Sequence, residues 1–150
     1  MGKMNWGRIF LGGVLWFVVY EVLGGTTWWL FLRAESIAAV ESLGRPFPAT
    51  VGFLPSTVGF LGFFLLLGLA VGVFALWLYA AIRPRYGPGP KTAVRAALAV
   101  WVIGGLIPWA FWFRLLLLPT RLLVGILAGS LVAAVVATLV GAWLYQEEPG

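Results

Sequence analysis

Cysteine and histidine are both absent from this chain. Without cysteine it can form no disulfide, no thiolate metal site and no redox-active thiol. Without histidine it lacks the commonest ligand of haem iron and transition metals, and the commonest general base near neutral pH. Its apolar segments also hold no catalytic serine constellation and no paired carboxylates. The sequence therefore predicts a protein that is not an enzyme and that binds no metal or cofactor by itself.

Charged residues are scarce as well. They make up 10% of the chain, against about 25% in an average soluble domain, whereas hydrophobic residues make up 62%. So few charges could not cover a water-facing surface. The net charge of +5 comes from too few basic residues to form a nucleic-acid interface, and we attribute it to loops that face anionic lipid. Membrane lipids are thus predicted partners, and nucleic acid is not.

Long apolar runs take up most of the remaining sequence. A helix needs about 20 apolar residues to cross a bilayer, and the chain offers four such runs. The predicted spans cover about 7–32, 57–82, 94–117 and 121–145. No small-residue cleavage site follows the apolar stretch behind the short basic start, so we expect the first span to be retained. The fold class is all-α, an integral membrane four-helix bundle in a single transmembrane domain over 1–150.

The segments between the predicted spans contain residues that end helices. Segment 33–43 has its apolar residues at helical spacing, so it either extends the first helix or lies on the membrane surface, and Gly44 should end it. The second helix is predicted to end at Ile82 or Arg83, before Pro84. The glycine- and proline-rich stretch that follows is predicted to be irregular, with Thr92 as the cap of the third helix.

The second half of the chain predicts a helical hairpin. Pro108 lies inside the third span, after Gly104 and Gly105, and should kink the helix because a proline removes one backbone hydrogen bond. Pro119 and Thr120 leave room for only a tight turn. The third and fourth helices should therefore be adjacent and antiparallel.

The distribution of basic residues predicts the sidedness. Four crossings place both termini on one side, together with six basic residues, whereas the other side has four. The six are Lys3, Arg8, Arg83, Arg85, Lys91 and Arg95. The positive-inside rule therefore favours cytoplasmic termini.

Small residues recur every fourth position along the fourth span. Without a hydrophobic drive between helices in lipid, small residues favour packing because they let two backbones come close. The row consists of Gly125, Gly129, Ala133, Ala137 and Gly141, and Gly68 and Gly72 form a shorter version in the second span. Two partners are open for the row: a helix of the same bundle, or another chain.

Glu21 is the only acid within a span. An ionised carboxylate inside the membrane must find a partner, take up a proton or reach water. Arg114, at a similar level of the third span, is the predicted partner in an intramembrane polar pair. The alternative is a proton or cation site, although the spans otherwise offer only a few hydroxyl groups. Both interpretations stay open.

Aromatic and basic residues suggest contacts rather than chemistry. Of the nine tryptophans, several lie deep in the spans, where packing or lipid contact is a better expectation than a pigment or quinone site. The deep ones are Trp16, Trp77, Trp101 and Trp109. The basic loop is predicted to hold lipid headgroups and lacks the glycine spacing of a phosphate-binding P-loop. Its basic residues are Arg83, Arg85, Lys91 and Arg95.

Several motifs resemble one known family. They are the loop 83–93, the opening Asn5-Trp6-Gly7-Arg8 with Gly12-Gly13, the position of Glu21, and the ending Gly141-Ala142-Trp143-Leu144-Tyr145. They are similar to segments of an uncharacterised family of small bacterial four-span membrane proteins of unknown function. The resemblance covers most of the chain. It implies a protein of the bacterial inner membrane and implies no activity and no site residue.

Two function classes remain. The favoured one is a non-catalytic accessory or scaffold subunit, packed against a larger membrane complex such as a respiratory or photosynthetic one. It is supported by the small-residue row and by the absence of catalytic groups. The alternative is a small transporter or channel that uses Glu21, but one acid among four apolar helices makes a poor pathway.

Overall fold

The computed structural model describes residues 4–42, 44, 55–116 and 119–147, with the side chains of all these except 55–61 and 112–116. Within these ranges the chain forms four long helices and no strand, which confirms the all-α bundle. Each helix is long and apolar enough to cross a membrane. The protein is therefore a multi-pass membrane protein.

The helices are bounded as follows. Helix α1 runs from Trp6 to Ser42, with α-helical parts Trp6–Thr27 and Arg33–Ser42 joined by a π-helical segment, Trp28–Leu32. Helix α2 is Pro55–Tyr86. Helix α3 consists of Pro90–Trp101, a π-helical segment Val102–Leu106, and Ile107–Leu116. Helix α4 is Thr120–Trp143.

The length of α1 decides between the two expectations for segment 33–43, because the helix simply continues. Its 37 residues give a rod of ~55 Å, well beyond the ~30 Å of a hydrocarbon core. Gly44 follows with a φ of 69°, and its N–H donates to the carbonyl oxygen of Glu41 at 2.9 Å. A left-handed glycine of this kind commonly ends a helix.

The predicted end of the second helix was wrong. Helix α2 passes through Pro84 and ends at Tyr86, because the carbonyl of Arg83 still accepts a hydrogen bond from the N–H of Gly87 at 2.8 Å. Gly87, with a φ of 80°, then turns the chain. Helix α3 begins at Pro90, where the missing N–H of proline costs no helical bond.

Thr92 is thus inside the first turn of α3 and is not its cap. Its hydroxyl donates back to the carbonyl oxygen of Gly87 at 2.7 Å, so it ties α3 to the turn after α2. Farther along, the N–H of Ile107 donates to the carbonyl of Val102, five residues earlier. This wide π turn lies where the kink before Pro108 was predicted.

The helices pack in the order α1, α2, α3, α4 around the bundle. Helix α1 packs mainly on α4 and α2, and α3 packs on the same two helices from the opposite side. Helices α3 and α4 are adjacent and antiparallel, since Pro90 lies near Ala142, and Trp101 hydrogen-bonds Ser130. The main buried cluster lies in the half of the bundle that holds the termini, around Trp16, Leu76 and Ala137.

Two glycines of α1 bring its backbone against the backbones of two other helices. A β-carbon added at Gly13 would lie 2.7 Å from the backbone N and Cα of Val73 on α2. One added at Gly12 would lie 3.0 Å from the carbonyl oxygen of Gly141 on α4. Because both neighbours are backbone atoms, neither can move aside without shifting a helix. The pair therefore lets α1 touch two helices at one level.

We predict different effects for the same substitution at two positions of α1. Gly13→Ala should lower the free energy of unfolding by about 1–3 kcal/mol, because the added methyl group overpacks the contact with Val73. Gly25→Ala should leave it unchanged or raise it by up to about 1 kcal/mol, because a β-carbon there meets nothing within 4 Å and alanine favours a helix.

Denaturant titration of the purified protein in detergent, followed by circular dichroism, measures both values. Equal destabilisation by the two variants would contradict the close packing of α1 on α2.

Candidate functional site: an intramembrane groove

The small-residue row of α4 faces α1 of the same chain. A β-carbon added at Gly125 would lie 2.5 Å from Cδ2 of Leu32, and one at Gly129 would lie 2.8 Å from Cγ2 of Thr27. Ala133 and Ala137 are buried, and Gly141 lies against Gly12. Of the two partners left open by the sequence, the described residues place a helix of the same bundle on the row.

The shorter glycine pair of α2 also faces α1. A β-carbon at Gly68 would lie 2.6 Å from Cε2 of Phe17, and one at Gly72 would run into the carbonyl oxygen of Gly13. The double glycine Gly12-Gly13 is the feature that the packing analysis of the sequence missed. Its signal was two adjacent glycines in the middle of an apolar run, which can face two different helices at once.

Beyond these crossings the bundle opens into a groove. It consists of two adjoining half-enclosed cavities of about 300 Å³ and about 530 Å³ that share lining residues on all four helices. The shared residues are Tyr20, Phe64, Trp109 and Ser130. Both π-helical segments border the groove, through Trp28 and Leu32 on α1 and Gly104 and Gly105 on α3. We call this space the intramembrane groove.

The groove exists because α3 diverges from its neighbours. Its first half, Pro90–Trp101, packs on α2 and α4, whereas Ile107–Leu116 makes only sparse contact with α4 among the described residues. Helices α1 and α3 face each other across the bundle, and their described residues do not pack closely together. The space between them is lined mostly by apolar and aromatic side chains. It therefore offers a concave surface at the depth of the hydrocarbon.

Glu21 lies on the wall of this groove. It sits ~22 Å along α1 from Trp6, which is beyond mid-membrane for a helix that rises ~1.5 Å per residue. Its side chain lines the smaller cavity near Gly68 and is exposed rather than packed inside the bundle. Among the described residues it takes part in no ion pair. The predicted partner Arg114 has a side chain outside the described part, so the Glu21–Arg114 pair stays a prediction.

Two tryptophans near the groove hydrogen-bond hydroxyl groups of α4. The indole N–H of Trp16 on α1 donates to Oγ1 of Thr138 at 2.8 Å, and both residues are buried. The indole N–H of Trp101 on α3 donates to Oγ of Ser130 at 3.0 Å. Each hydroxyl in turn donates a hydrogen bond to a backbone carbonyl of α4, Thr138 to Ala134 and Ser130 to Leu127.

These bonds give two of the four deep tryptophans a positioning role that the sequence did not predict. Ser130 and Thr138 are eight residues apart, about two helical turns, so both face the same side of α4. Trp109 lines the groove, whereas Trp77 stacks on Phe74 with ring centroids 5.5 Å apart. The residue types suggest that an indole N–H could pair with a hydroxyl group. Which tryptophan meets which hydroxyl depends on the order of the helices in the bundle.

The predicted headgroup residues divide into two groups. Arg83 forms an ion pair with Glu147 at 3.2 Å and lies 5.4 Å from the ring centroid of Tyr145, so it holds the C-terminal segment against α2. Arg85, Lys91 and Arg95 are exposed or partly exposed on the surface near the turn between α2 and α3.

At the opposite end, Arg121 pairs with Glu35 at 3.1 Å and joins α4 to the extension of α1.

Comparison with known proteins adds no relative, because no protein-family model, curated protein or solved structure matches the chain. The resemblance to a family of small bacterial membrane proteins therefore stays a prediction. Within the described residues no cluster of three or more acidic side chains could hold a metal ion.

We predict that the Trp16–Thr138 bond contributes measurably to stability. Thr138→Val keeps the shape of the side chain but leaves the buried indole N–H without an acceptor, which should lower the free energy of unfolding by about 0.5–2 kcal/mol. Thr138→Ser keeps the hydroxyl acceptor and should retain most of the free energy of unfolding that Thr138→Val loses. Thr26→Val, at an exposed position of α1, is the control and should have no effect. Unfolding titrations in detergent measure all three, and equal values for Thr138→Val and Thr26→Val would refute the role of this bond.

Proposed function

We propose that the protein is a non-catalytic accessory subunit of a larger membrane complex, and that its intramembrane groove receives a transmembrane helix of another chain. The observation that carries this proposal is Glu21, an acid at hydrocarbon depth that is exposed in an open groove and has no ion pair among the described residues. A carboxylate in such a place is costly unless a partner satisfies it. A helix seated in the groove would supply that partner.

Glycines on the groove walls support a helix as the occupant. A β-carbon added at Gly24 on α1 or at Gly104 on α3 would meet nothing within 4 Å, although both glycines line the groove. Elsewhere in the bundle, Gly12, Gly13, Gly72 and Gly141 lie directly against another helix. Glycine thus marks close helix contacts in this chain, and two groove glycines lack such a contact.

The partner helix must carry a particular chemistry. To satisfy Glu21 it needs a hydrogen-bond donor near mid-membrane, such as a lysine, arginine, asparagine or serine side chain. To approach Gly24 and Gly104 closely it needs small residues on the same face. Its remaining contact surface should be apolar, because aliphatic, glycine and aromatic residues make up most of the groove lining.

The location of the protein is inferred separately, from its basic residues. We place it in the inner membrane of a bacterium with both termini in the cytoplasm. This is supported by the described basic residues, since Arg8, Arg83, Arg85, Lys91 and Arg95 lie at the end of the bundle that holds the termini. Arg33 and Arg121 are the described basic residues of the other end.

Extraction in a mild detergent tests the proposal. The wild-type chain should migrate with a larger assembly on a native gel. Gly24→Leu, which fills the groove, should release the chain as a small species. Gly25→Leu is the matched control, because Gly25 is adjacent on α1 but lines neither cavity, and it should keep the assembly. A wild-type chain that migrates alone, or equal loss in both variants, would contradict the proposal.

A small transporter remains the second candidate, and the aromatic lining of the groove favours it. Trp16, Tyr20, Trp101 and Trp109 surround the cavity that contains Glu21, with Tyr20 stacked on Trp16 at a centroid distance of 4.7 Å. Aromatic faces and one carboxylate together suit a lipophilic organic cation. The groove contains no continuous row of polar groups among its lining residues, which disfavours an ion channel.

If this second candidate holds, tetraphenylphosphonium should quench the tryptophan fluorescence of the protein in liposomes in a saturable way. Glu21→Gln should weaken that binding at least tenfold because the countercharge is lost. Glu41→Gln, at the exposed end of α1, should bind like the wild-type protein. The absence of saturable quenching in the wild-type protein would remove the transporter candidate and would leave the accessory-subunit proposal unaffected.

A further inference from the structure

Two arginine side chains lie beside one aromatic ring at the end of the bundle opposite the groove, and a lysine is exposed nearby in sequence. The guanidinium carbon of Arg95 lies 4.6 Å from the ring centroid of Tyr86, and that of Arg85 lies 5.8 Å from it. Lys91 is exposed one helical turn before Arg95 on α3. We call Arg85, Tyr86, Lys91 and Arg95 the basic turn cluster.

This cluster has no counter-charge within the described chain. The two ion pairs of the described residues join Arg83 to Glu147 and Arg121 to Glu35, so neither involves a member of the cluster. Lys91 and Arg95 are four residues apart on one helix, where like charges repel each other. An anion bound between them would relieve this repulsion.

The turn that carries the cluster is well held. Thr92 donates to the carbonyl of Gly87 at 2.7 Å, and the N–H of Gly89 donates to the hydroxyl of Tyr79 at 3.3 Å. Tyr79 is buried and makes an edge-to-face contact with Tyr145, at a centroid distance of 5.9 Å. The cations therefore project from a fixed turn, which lowers the entropy lost when an anion binds.

The position of the cluster identifies the kind of anion. The turn joins two membrane-spanning helices, so it lies at the boundary between hydrocarbon and water. Arg95 sits ~7 Å into α3, where a long side chain reaches up to the headgroup level. Tyr86 is exposed, as expected for an aromatic side chain in the interface. A molecule that touches both this surface and the apolar helix flanks has a negative headgroup and acyl chains.

We propose that the basic turn cluster is a binding site for the phosphate of an anionic phospholipid. The two guanidinium groups donate to the phosphate oxygens, which they can do in a bidentate manner, and Lys91 adds a third charge at the water side. Tyr86 holds the two arginines beside each other. The site lies apart from the groove, so this proposal stands independently of the accessory-subunit function.

Thermal unfolding in nanodiscs of defined lipid tests the site. The wild-type protein should unfold at a higher temperature in discs that contain phosphatidylglycerol than in discs of phosphatidylcholine alone. The triple variant Arg85→Gln, Lys91→Gln, Arg95→Gln should lose most of that difference. Arg33→Gln is the matched control, because Arg33 also lies beside an aromatic ring, that of Trp29 at 6.0 Å, but at the other end of the bundle. It should keep the difference.

A single variant and a measurement with free phosphate complete the test. If the triple variant does not fold, Lys91→Gln alone serves, and it should reduce the difference. Inorganic phosphate added to discs of phosphatidylcholine should not reproduce the stabilisation by phosphatidylglycerol. The proposal is overturned if the wild-type protein shows no preference for the anionic lipid, if the cluster variants keep it, or if free phosphate replaces the lipid.

Discussion

The contact of α1 with two other backbones at Gly12 and Gly13 is the constraint on which the rest of the bundle depends. Apolar side chains gain little by leaving lipid, so the helices are held by close packing and by hydrogen bonds between them. At this level α1 lies against Val73 of α2 and Gly141 of α4, with no room for a β-carbon at Gly13. The bonds from Trp16 to Thr138 and from Trp101 to Ser130 then connect α1 and α3 to the same face of α4.

The close packing of helices around Gly12 and Gly13 determines where the bundle opens into the groove. Helices α1, α2 and α4 pack closely around Gly12 and Gly13, while the second half of α3 makes only sparse contact with α4 among the described residues. The π-helical segments at Trp28–Leu32 and Val102–Leu106 border the resulting groove, and such segments often occur at functional positions. Glu21 is located where the tight packing gives way to the groove. Among the described residues Glu21 has no ion pair, and a carboxylate in that position calls for a partner.

Much of this architecture could be predicted from the sequence, because the bilayer allows few solutions. The number of spans, the hairpin at Pro119 and the packing role of the row from Gly125 to Gly141 follow from length, proline chemistry and residue size. The end of α2 could not be predicted. Pro84 lacks a backbone N–H, but the carbonyl of Arg83 can still accept a helical hydrogen bond from the N–H of Gly87. The sequence predicts that Arg83 faces lipid headgroups. Its pairing with Glu147 could not be predicted, because the two residues are far apart in the chain. The groove could not be predicted either, because it depends on how α3 diverges rather than on any local pattern.

The central claim is that a helix of another protein occupies the intramembrane groove. Photo-crosslinking in intact native membranes tests it most directly, with a photoreactive amino acid in place of Gly104 inside the groove or in place of Leu66, whose side chain is 71% exposed on the outer surface of α2. We expect the groove position to crosslink to one defined membrane protein and the outer position to crosslink to lipid. Crosslinking of both positions to lipid alone would contradict it.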